Sequence, residues 1–436
     1  MIRMLKRVIP LVVTIVLVAA TTGCASSQTD LASAATDSGT SAGNDKLFAG
    51  QELTIGIWGG NDAEVNALAK VKGAFEELTG ATVSFKTYTD YNVQIQADFI
   101  GGTAPDVFYI DASVFPFYSD LGVMEPLDRE EMGASNFYDN LLVAFTAEDG
   151  TLYCIPKDVS TLALYINTDL LNSVGLEVSD VPRNWEEYRE FLLELQGKLD
   201  DAHGVGSVTA MTVNLELARN LHLLERGGVS VSDAEGYSTM NTSGIQKNLQ
   251  FIIDMMETGA YRTPQQIGLG WNGEVFGAEK TAIMEEGNWV YAVLAQEYDH
   301  INFEVLDMPA YDGEVSSMAF TVGYGIYSNT GKKELAKEWI KYATGVEGMS
   351  TWTKGAGCLP SRADVEQEIN LDDDPVWAVH AKQTEYAVPW QKGKTITIID
   401  DAYKNFVVEV ARGVMSVEEA LEKIDSQANA EITNSR

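Results

Sequence analysis

Residues 101–127 read GGTAPDVFYIDASVFPFYSDLGVMEPL. Gly101, Gly102 and Pro105 end whatever precedes them, and Val107, Phe108, Tyr109 and Ile110 then form a short β-prone apolar run. A run without polar alternation suits a strand covered on both faces, the habit of parallel sheets. Asp111 follows at its carboxyl end. In open α/β sheets ligands are met there, because the loops leaving the strand ends line a crevice.

Upstream, LTIGIW predicts a strand ending at Trp58, and GGNDAE offers Asn61 or Asp62 as a helix cap. Val65, Leu68, Ala69, Phe75 and Leu78 recur at helical spacing, so a helix is expected to about residue 78. ATVSFKTY predicts a second strand and YNVQIQADFIGG a second helix closed by glycines. The opening is therefore β-α-β-α-β, the signature of an α/β fold with helices on the faces of a parallel sheet. Downstream, PKDVSTLALYINTDL reads as a crossing between domains, with Pro156 ending one element and a new strand starting at Leu162. Further on, Trp185 opens a helix, and Ile245, Leu249, Ile252, Ile253 and Met256 mark one face of another. AIMEEGNWV predicts a strand, a turn and a helix beginning at Trp289.

A chain of 436 residues with 45% hydrophobic content can build two domains with sizeable cores. Its 64 acidic against 30 basic residues give a formal charge of −34. A field of that sign repels phosphates and anionic lipid heads, which argues against nucleic acid and nucleotides as partners. The three cysteines, Cys24, Cys154 and Cys358, are too few for a disulfide scaffold or a thiolate metal site. Residues 1–23 have the parts of an export signal: Arg3, Lys6 and Arg7, then an apolar run, then small residues. The ending TTGC resembles the lipobox of bacterial lipoproteins, although Thr21 stands where leucine is usual. That resemblance implies acylation of Cys24, and residues 24–50, rich in Ser, Thr, Ala and Gly, read as a flexible tether.

The series FEELTGATVSF, GGTAPDVFYID, LGVMEPLD and GTLYCIPKDVSTLALYINTDLL resembles the extracellular solute-binding proteins of ABC importers, specifically the carbohydrate-binding group related to maltose-binding protein. VPRNWEEYREFLLEL, FGAEKTAIMEEGNWV, TVGYGIYSN and GAGCLPSR continue it along the chain from residue 51. The resemblance implies a two-lobe, type 2 periplasmic-binding-protein fold with a hinged interdomain cleft. Lobe 1 would hold residues 51–157 and 312–343, and lobe 2 residues 158–310 and 344–436. It also implies a monomer that captures a carbohydrate and delivers it to permease subunits, held on the extracellular face of the cell membrane by the lipid on Cys24.

Enzyme signatures fail on inspection. GTSAG at residues 39–43 matches a nucleophile elbow only formally, since no strand enters it and no helix leaves it. GLGWNG at 268–273 fits a dinucleotide fingerprint but follows no convincing strand. The four histidines show no metal spacing, and Asp400 with Asp401, read as neighbours on a strand, would point to opposite faces. No catalytic residue, metal or cofactor is expected.

A sugar offers an apolar C–H face and a rim of hydroxyls, which flat aromatics and fixed carboxylates or amides complement. Trp289 in GNW corresponds to the family's stacking residue, and Trp58, Asn61 and Asp111 match cleft-facing places in lobe 1. Asp158, Thr161, Asn214, Glu216, Tyr324 and Trp390 complete the candidate set. Within the same fold a polyamine or another non-sugar solute is the alternative ligand, and an exported glycan hydrolase, with two carboxylates about 5 to 10 Å apart, the alternative class.

Overall fold

The computed structural model describes residues 46–436, apart from positions 312, 385 and 436. Cys24, the export signal, GTSAG and nearly all of the tether lie outside the described residues. The sheet opens with β1 (Glu52–Trp58), β2 (Thr82–Tyr88) and β3 (Val107–Asp111). It continues with β4 (Cys154–Asn167), β5 (Thr209–Thr212), β6 (Tyr261–Arg262), β7 (Thr281–Gly287), β8 (Phe303–Leu306), β9 (Met318–Ile326) and β10 (Val388–Pro389). Their order is β2-β1-β3-β9-β4-β7-β5-β6, with β10 on β9 and β8 on β4.

The opening β-α-β-α-β unit is present, with β1 parallel to both β2 and β3. On its other side β3 meets β9 antiparallel, so the sheet is mixed rather than wholly parallel. The first helix is Asp62–Thr79, capped by Asn61, whose side chain accepts the Glu64 N–H. Its apolar stripe differs from the sequence reading. Leu68 and Phe75 are buried, but Val65 and Leu78 are exposed, and Ala63, Ala67 and Val71 take the inner face instead. Spacing alone admits either stripe on this helix, and the small alanines let it approach the Val346–Ala356 helix, where Gly355 has room for no Cβ against Ala67.

The crossing also differs. Pro156 does not end an element: β4 is one buried strand of 14 residues. Residues up to Thr161 pair with β9, and from Leu162 onward the partners are β7 and β8. A register shift between Pro156 and Asp158 absorbs the proline, which has no N–H to give the ladder.

Two large apolar cores lie along this strand. The first gathers Leu53, Phe75, Phe108, Phe145, Ile155 and Trp339, and the second Leu164, Tyr188, Leu249, Ile283, Tyr403 and Leu421. A smaller third core forms around Tyr165, Phe276 and Met284. Met349, Trp352 and Leu359 pack in the first core, although the expected division placed 344–436 with the second lobe. Asp400 and Asp401 lie on the Ile396–Ala411 helix rather than a strand, and Asp400 accepts the Leu217 N–H and pairs with Lys404. Cys154 and Cys358 are both buried and unbridged.

His380 ties the crossing to the Pro375–Gln383 helix: its ring nitrogens meet the Thr161 hydroxyl at 3.0 Å and the Tyr165 hydroxyl at 2.8 Å. Burial pushes its pKa down to about 3, so the ring is neutral in the fold. In the unfolded chain it takes a proton near pH 6.5. The His380 contribution to stability is therefore intact above pH 6.5 and is lost as the pH falls from there towards 3. Chemical denaturation across this range should show a slope that His380→Gln reduces.

Candidate functional site

The candidate residues fall into two groups on either side of β4. In the first, the Trp58 ring meets Tyr91 edge-on at 5.2 Å and Tyr109 at 4.9 Å, and Tyr109 meets Tyr324 at 5.3 Å. Trp58 is half-buried, whereas Tyr109 and Tyr324 are buried. The Lys157 ammonium lies over the Tyr109 ring at 5.0 Å and the Trp352 ring at 4.0 Å, beside the Asp158 carboxylate. Burial is the largest influence on Lys157 and opposes its charge, but the Asp158 carboxylate together with the neighbouring Cys358 and Tyr324 holds the ammonium above its ordinary pKa. Asp158 also accepts the Trp352 indole N–H at 2.8 Å.

Glu64, one turn into the helix that Asn61 caps, lies within electrostatic reach of Lys157 and Asp158. Enclosure pushes its carboxyl up to about 7, with Lys157 pulling the other way. Asp111 is half-buried at the end of β3 and accepts the backbone N–H of Ser113 at 2.8 Å and the Ser113 hydroxyl. Burial raises its pKa and the two Ser113 bonds oppose the rise.

The second group surrounds Trp289. Gly287 permits its placement, because a Cβ there would sit 2.2 Å from the indole. Phe320 meets the ring edge-on at 5.7 Å, and the Arg219 guanidinium lies 4.8 Å from its centre. Arg219 is held by Glu286 at 2.6 Å, a carboxylate only 1% exposed. Burial raises the Glu286 pKa, and the guanidinium opposes the rise. Asn214 lines a small void with Arg219, and exposed Glu216 immediately precedes the Leu217–Leu224 helix that carries Arg219, without a side-chain capping bond. Trp289 alone packs against all three cores among the described residues, and it remains half-buried.

The groups are stitched together through Asn288. Its side chain accepts the Thr161 N–H at 2.9 Å and donates to the Gly357 carbonyl at 2.8 Å. Thr161 is fully enclosed and its hydroxyl is committed to His380, so its place is in the framework under the site. Trp390 is buried in the second core, and neighbouring Gln391 donates to the Ala112 and Ala144 carbonyls. Glu64, Lys157, Arg219 and Glu286 went unmarked in the sequence reading. Their signal was a charge set in an apolar run: Arg219 in LELARNLHLL, Glu286 beside GNW, Lys157 in the crossing.

Aromatic faces backed by fixed ion pairs can hold a neutral, hydroxyl-bearing ring. Among the described residues no cluster of histidine, cysteine and acids could hold a metal ion, and no helix is long and apolar enough to cross a membrane. The fold is that of the two-lobe periplasmic binding proteins. The chain belongs to the bacterial extracellular solute-binding proteins, a family whose profile matches residues 70–379.

Among its relatives is the arabinooligosaccharide-binding protein of Halalkalibacterium halodurans, 24% identical over 63% of this chain and 62% of that protein. The maltodextrin-binding protein of Bacillus subtilis is 20% identical over 80% of this chain and 84% of its own length. Among solved structures, an ABC substrate-binding protein of Listeria monocytogenes in complex with cycloalternan superposes with a TM-score of 0.77 at 19% identity, covering 88% of this chain and 99% of the other. The GacH receptor of Streptomyces glaucescens, solved unliganded and with acarbose, gives 0.75 at 21% identity over 86% and 97%.

Proposed function

We propose that this protein binds an uncharged oligosaccharide between two lobes and delivers it, chemically unchanged, to the permease of an ABC importer. The observation that carries the reading is Trp289: a half-buried indole where three cores meet, braced by the Arg219–Glu286 pair. Relatives that bind arabinooligosaccharide and maltodextrin support the solute class. The two lobes follow the two large cores, with 344–371 riding with the first. Closure on the solute gives the permease a form to recognise. Acylated Cys24 and the tether hold the monomer at the outer membrane face near that permease, raising its effective concentration there.

A thermal-shift screen over mono- and oligosaccharides, polyamines and peptides tests the reading, since a ligand held only by the folded chain raises the melting temperature. Oligosaccharides should give the largest rise. The net charge of −34 makes a polyamine the rival, and a response to spermidine alone would establish it. Sugar fragments appearing during incubation would end the binding-protein reading. Mass spectrometry of the membrane-extracted protein should find a lipid on Cys24.

A further inference from the structure

A cavity of about 210 Å³, whose lining includes none of the sugar-site candidates, is lined by the aromatic rings of Trp185, Phe251 and Tyr311 and by three cations, Arg189, Arg226 and Lys247. Glu186 is the carboxylate on its wall. In a chain where acids outnumber bases two to one, that balance is reversed locally. The Arg226 guanidinium is stacked between rings, 4.3 Å from Trp185 and 5.0 Å from Tyr311. Asn248 pins its backbone by donating to the Leu224 and Arg226 carbonyls.

The Nε and Nη2 atoms of Arg226 are shielded from solvent and find no hydrogen-bond partner, and neither does the Trp185 indole nitrogen. Nε–H and Nη2–H form the side-on fork that matches a carboxylate bidentately. Glu186 and Glu285 are within electrostatic reach but give the fork no hydrogen bond. Burial pulls the guanidinium pKa down to about 10, as expected of a cation without an adequate counter-charge. Arg226 is half-buried and two of its donors are enclosed without an acceptor, so an anion from outside that reached them would relieve that cost.

We propose that this cavity is a second ligand site, separate from the sugar site, that takes a small organic carboxylate with a flat apolar body. The carboxylate meets the Arg226 fork after a small shift of the side chain into the cavity. Lys247 and Arg189 add attraction at the rim, and the body lies among Trp185, Phe251 and Tyr311.

The test is a thermal-shift and calorimetric titration of the whole mature chain with benzoate and, as its uncharged counterpart, benzyl alcohol. Benzoate should raise the melting temperature saturably and benzyl alcohol should not. Arg226→Met should weaken benzoate at least ~10-fold, the loss of a bidentate charge-assisted pair, while leaving any oligosaccharide response unchanged. Without ligand this variant should melt no lower than the parent, because an unpaired charge has been removed. If Arg226→Met does not fold, Lys247→Ala, an exposed position, should still weaken benzoate. A parent chain indifferent to benzoate, an equal response to benzyl alcohol, or an Arg226→Met variant that binds benzoate unchanged would overturn the proposal. Since the sugar response is read in the same assay, its loss would bear on the Trp289 site alone.

Discussion

Trp289→Ala should abolish the ligand-induced rise in melting temperature while the free protein still folds. In the proposed site Trp289, a half-buried indole that touches all three cores, is the aromatic anchor, and truncating such an anchor costs about 2 to 4 kcal/mol of binding. That is a loss of roughly 30- to 1,000-fold in affinity. Trp289→Phe should recover part of it, because a smaller flat face remains. The free variant should lose some stability, since Arg219 and Phe320 surrender the ring they pack on. Far-ultraviolet circular dichroism and calorimetric titration with the best oligosaccharide of the screen separate the two effects. Unchanged sugar affinity in Trp289→Ala would remove this residue from the site.

The largest effect on stability should come from Asp158→Ala. Its carboxylate neutralises Lys157, whose side chain is 6% exposed and caged by Tyr109 and Trp352. Removing one member of such a pair strands the other charge and costs about 3 to 5 kcal/mol. The Trp352 indole N–H loses its acceptor as well. Urea denaturation should register the whole loss, and Lys157→Met introduced alongside should restore a large part. The deficit also has a signature in pH. Without Asp158, burial drives the Lys157 pKa below its unfolded value, so the variant should regain stability as the pH rises towards 10. A variant as stable as the parent would mean that Lys157 has another anchor.

Much of the fold was legible because its first third obeys local rules. β1, β2 and β3 and the helices between them are bounded by Asn61, Gly80, Asp90 and Gly102 in the capping roles their side chains and backbone angles suit. The crossing was misread because Pro156 is a breaker only where its neighbours need its N–H, and the register shift beside it removes that need. Asp400 and Asp401 were misplaced because ITIIDD carries β-branched residues that packing, not propensity, turns into a helix. Among the candidate residues, Trp58 and Trp289 could be marked through the motifs that carry the family resemblance. Arg219 and Glu286 could not, because their partnership spans 67 positions of sequence and only the fold brings them together.

β4 shows what joins the halves of this molecule. Its 14 residues pass through the interior without a break, and the hydrogen-bond ladder changes hands between Thr161 and Leu162. Such a joint behaves as a torsion bar rather than a slack cord: relative rotation of the halves must be taken up as twist in a covered strand.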